Sequence, residues 1–93
     1  MSLENAAAPV TLAMLKRLHH EHLSRGPTGT AEAIRRFADD LGTSTTGVVG
    51  GVRLAAGSAE RETAGWANAV LPYLDSAIAC GALEIPVNPP TNG

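Results

Sequence analysis

With 93 residues the chain has room for one domain and not two, and its formal charge of −2 argues against simple electrostatic capture of nucleic acid or an anionic membrane. Apolar residues make up 44% of it, too many for a disordered tail, yet only 3% are aromatic: Phe37, Trp66 and Tyr73. Ala, Val and Leu must therefore close the core, and a core this small supplies only about 3–5 kcal/mol of net stability, so oligomerisation or docking on a partner is expected.

Charge is unevenly spread. Through Arg53 six basic residues face five acidic ones, and beyond it only Arg61 stands against Glu60, Glu62, Asp75 and Glu84. Cys80 is the lone cysteine, which rules out an intramolecular disulfide and fits a reducing compartment. No run approaches the roughly 20 apolar residues of a membrane span, and residues 1–9 lack the features of a secretory signal. The expected location is the cytoplasm.

In chain order, residues 1–9 read as a loose lead-in to a single helical domain over residues 10–84. Thr11 is placed to cap a first helix running to about Ser24, with Leu12, Leu15, Leu18 and either His22 or Leu23 on one face. Arg25 to Gly29, which includes Gly26 and Pro27, reads as a break. Thr30 then caps a second helix, Ala31 to Leu41, buried along Ile34, Phe37, Ala38 and Leu41 and ended by Gly42. A third helix starts after Ser44 and runs to about Ala56. A fourth starts near Ala59 or Glu60, carries Trp66, Val70 and Leu74 at steps of four, and is expected to kink or restart at Pro72. Gly81 is the expected stop, and residues 85–93, with three prolines, form an extended tail. The fold class is all-α: a small bundle of three to four short helices with a helix-turn-helix-like centre.

That centre is the segment Phe37–Val52. Ala38 is small where two helices meet, Gly42 suits a turn of positive φ, the Thr43–Ser44–Thr45 run can cap the next helix, and Leu41, Val48 and Val52 are apolar. This pattern resembles the helix-turn-helix core of bacterial transcription regulators, over about sixteen of the ninety-three residues. The resemblance implies DNA contacts from Thr45, Thr46, Val49, Gly50 and Arg53, supported on phosphates by Arg35 and Arg36. The match is incomplete: Thr43 replaces a usual apolar residue, and only Arg53 offers the bidentate donors that base reading uses.

The same segment carries a packing signal. Gly47, Gly51 and Ala55 recur every four residues, so on a helix they make a strip nearly free of side chains. A glycine inside a helix costs about 1 kcal/mol relative to Ala, and close approach of another backbone is the usual compensation, so a close-packed helix pair, within the chain or between subunits, is expected. A loop over Gly47–Gly51 is the alternative.

Candidate chemistry is sparse. His19 and His22 lie three apart on one helix face, but two ligands do not make a metal site, and partly packed histidines are the simpler reading. Asp39 and Asp40 diverge around a helix by about 100°, and Ser44 and Cys80 lack a local base. No catalytic residue, metal ligand or cofactor site is assigned. Trp66, Val70 and Tyr73 read either as core or as anchors on a partner. The expected function is a non-catalytic protein-interaction or assembly subunit, forming a homo-oligomer or joining a larger partner, with interface residues Gly47, Gly51, Ala55, Trp66, Val70 and Tyr73. The alternative is a small helix-turn-helix DNA-binding regulator using Arg35, Arg36, Thr45, Thr46 and Arg53.

Overall fold

A computed structural model describes residues 7–84; most of the expected lead-in and the whole expected Pro-rich tail lie outside the described residues. The described residues form three packed helices, α1 (Leu12–Leu41), α2 (Thr45–Ala55) and α3 (Arg61–Ala79), and no strand. No described helix is long and apolar enough to cross a membrane.

Thr11 caps α1 as its position suggests. Its hydroxyl accepts from the Met14 N–H at 3.2 Å, and the Met14 thioether accepts from the Thr11 N–H in return. The break in α1 is narrower than the sequence suggests. It consists of one residue, Gly26, at φ 67° and ψ −151°, and the helix resumes at once with Pro27. Glycine makes the turn in a single step, and proline starts the next helical segment at the position where its missing N–H is no loss. Thr30 is therefore not a cap. It lies fully buried inside the second half, its hydroxyl 3.2 Å from the His22 imidazole.

Gly26 folds α1 back on itself. Straight, thirty residues of helix would reach about 45 Å, more than the 39 Å long axis of the molecule. The halves approach so closely that a Cβ at Gly29 would overlap the Glu21 carbonyl oxygen. Glycine is required there by space alone.

Gly42, at φ 66°, closes α1 in the left-handed conformation, and the Ser44 side chain caps α2 by accepting from the Gly47 N–H at 3.1 Å. The segment Gly47–Gly51 is thus helical. In α3, Pro72 neither ends nor restarts the helix. It sits on the exposed side, while Val70, Leu74 and Ala77 are buried on the other, and that packing offsets the single lost backbone hydrogen bond. Asn68 links α3 to the end of α2, its side-chain amide donating to the Ala56 carbonyl at 3.1 Å.

The core forms where the three helices meet. Leu15, Leu18, Ile34, Val48, Val52, Val70 and Leu74 are fully excluded from solvent, and Leu83 folds back beneath them after Gly81 turns the chain at φ 83°. At the ambiguous position of α1, His22 turns inward and Leu23 outward, 68% exposed. Leu41, expected on the buried stripe, is 37% exposed because the helix ends there at the corner.

Candidate functional site

The Ala/Gly strip of α2 has a neighbour, and it belongs to the same chain. Residues 7–10 run as an extended strap across α2, and the Ala8 N–H donates to the Gly47 carbonyl at 2.9 Å. A Cβ at Gly51 would overlap the Ala8 carbonyl and the Val10 side chain, and one at Gly50 would touch Ala7. Close backbone approach offsets the cost of glycine at Gly51, but the approaching backbone is an extended intrachain strap and not the expected second helix. Gly47 and Gly51, expected at an interface with another protein, are buried beneath it; Ala55 is half-buried.

Of the other expected interface residues, Val70 is fully buried, whereas Trp66 and Tyr73 are half-buried along the seam of α1 and α3. His19 and His22 meet them there. The His22 ring stacks on Tyr73 with centroids 3.8 Å apart and planes at 7°, and His19 meets the edge of Trp66 at 5.3 Å. The Tyr73 hydroxyl lies 3.2 Å from His19 Nδ1. The histidines are occupied by aromatic packing, and among the described residues no group of three or more His, Cys, Asp or Glu is placed to hold a metal.

Outside this seam, Trp66 borders a shallow apolar hollow with Gly65 and Ala69, flanked by His19 and Glu62. Lys16 stands 5.7 Å from the Trp66 ring centre and 3.9 Å from the Glu62 carboxylate. Gly65 differs from Gly51 in one respect: no atom lies within 4 Å of where its Cβ would be. Gly65 and Ala69 were not singled out from the sequence, although their spacing of four, on the helix that carries Trp66, was the available signal.

The residues implied by the helix-turn-helix resemblance do not form one open face. Val49 is buried, Gly50 lies against the strap, Thr45 and Thr46 are half-covered, and only Arg53 and Leu54 of α2 are exposed. Arg53 lies 3.7 Å from Asp75 of α3, and the Arg35 guanidinium donates to the Ala82 carbonyl. Arg36 sits apart from them, on the groove between the two halves of α1.

That groove is open along one side and has a volume of about 480 Å³. At its end near Gly26, Glu21 receives Arg17 Nε at 2.9 Å and an Arg25 terminal nitrogen at 3.0 Å, and Arg25 reaches on to Glu32 at 2.6 Å. The Arg25 hydrogen bond holds the Glu21 carboxyl below its ordinary range against the opposing effect of desolvation, with the Arg17 charge adding to it. Glu21 and Glu32 in turn raise the Arg25 pKa. This clasp ties the two halves of α1 together beside their turn.

A scan against protein-family models and searches of curated proteins and of solved structures return no match to this chain.

Proposed function

We propose that the chain is a non-catalytic assembly subunit that packs on a copy of itself or on a larger protein through the outer face of α3. One observation carries the reading: Gly65, in the second turn of α3, is exposed beside Trp66 and Ala69 with nothing against it among the described residues. An exposed helical glycine costs about 1 kcal/mol relative to Ala, and no close approach within the described residues offsets that cost. A second helix laid across Gly65 and Ala69 would do so and would cover the open side of Trp66, a residue type enriched at binding hot spots. The exposed Cys80 thiol fits work in a reducing compartment such as the cytoplasm.

Sedimentation velocity across a wide concentration range tests this reading. The wild type is expected to form a heavier species that Gly65→Arg abolishes without loss of helical content. Assembly that survives Gly65→Arg, or a wild type that stays monomeric and retains no protein partner, contradicts it.

The helix-turn-helix regulator is supported by the corner itself, with Gly42 in the left-handed conformation and Ser44 capping α2. It is the weaker reading, because a recognition helix needs an open face in the major groove and α2 exposes only Arg53 and Leu54.

A further inference from the structure

We propose that the groove between the two halves of α1 binds a small amphipathic anion, an apolar body carrying one carboxylate. Its volume of about 480 Å³ falls within the range of roughly 300–1,000 Å³ that small-ligand pockets occupy. Its two ends differ chemically. One is apolar, formed by Met14, Ala33 and the half-buried Phe37, and Met14 is held in place there because its sulfur accepts from the Thr11 N–H. The other is closed by the clasp, in which Arg17 and Arg25 engage both oxygens of Glu21 and Arg25 also engages Glu32.

Cationic capacity remains between the two ends. Arg17 reaches Glu21 through Nε, leaving its two terminal nitrogens for another acceptor. Arg36, on the opposite wall, forms no ion pair among the described residues. Three arginines line the groove against two glutamates, so it keeps an excess positive charge. A guanidinium presents a planar fork that matches a carboxylate. A ligand with its apolar body on Met14 and Phe37 would bring its carboxylate within reach of Arg17 and Arg36. This site lies on α1, away from the outer face of α3, so it stands or falls independently of the assembly reading.

The test is a titration of the full chain with decanoate, followed by NMR at the Met14 methyl and the Phe37 ring, with decanol and acetate as parallel probes. Decanoate is expected to give saturable shifts at both residues, and Arg36→Gln to weaken it about tenfold, the loss of one charge-assisted contact. Arg17→Gln should also weaken it, and Arg61→Gln, on α3, should not. Arg17 and Arg36 are both exposed, and circular dichroism checks that their variants keep the fold. Decanol binding as well as decanoate, acetate alone reproducing the shifts, an unchanged affinity in Arg36→Gln, or no shift at Met14 overturns the proposal.

Discussion

Three glycines in helical segments look interchangeable in sequence and have three different surroundings. Gly29 faces the Glu21 carbonyl, Gly51 faces the Ala8 carbonyl, and Gly65 faces open space. Substitution by alanine should therefore change sign with position. At concentrations low enough to keep the chain monomeric, Gly65→Ala is expected to raise stability by about 0.5–1 kcal/mol, the ordinary gain in helix propensity and unfolded-state entropy. Gly51→Ala is expected to lower it by about 1–3 kcal/mol, since the strap must shift to admit the methyl group. Urea unfolding of the two variants checks the pair, and a stabilising Gly51→Ala would mean that the strap is not seated on α2. The sequence announced that Gly51 needed a close neighbour, because its spacing with Gly47 and Ala55 was regular. It gave no means of identifying that neighbour, since Ala7 to Val10 carry no pattern of their own.

Among the elements, three of the four expected caps were legible, and Thr30, buried inside the second half of α1, was the exception. Thr11, Gly42 and Ser44 act where their chemistry predicts, because capping is decided by the local side chain and backbone. The two proline positions were harder to read. Whether Pro27 opens a loop or starts a helix depends on the single residue before it, and whether Pro72 stops α3 depends on the burial of Val70 and Leu74 by other helices. The fold-back of α1 brings its own pH dependence through the clasp. Glu21 has a lowered pKa in the folded chain, so its contribution is present above the ordinary carboxylate range and is lost as pH falls through that range towards the lowered value. The melting temperature is expected to drop on acidification through this window, and Glu21→Gln is expected to flatten that part of the profile. An identical acid profile in Glu21→Gln would show that the clasp does not hold the turn.

At the scale of the whole molecule, the all-α class follows from periodicity. The location of open surface does not, because it depends on which strip the strap covers. The strap lies over Gly47 and Gly51 and closes much of the face that the helix-turn-helix resemblance would use. Among the described residues, a small-residue strip stays open on the outer side of α3 around Trp66. Mapping amide chemical shifts as the concentration of the purified chain is raised tests this most directly. Shifts confined to Gly65, Trp66, Ala69 and their neighbours, with Ala8, Gly47 and Gly51 unmoved, are the predicted result; shifts centred on Gly47 to Gly51 with release of the Ala8 amide would contradict it.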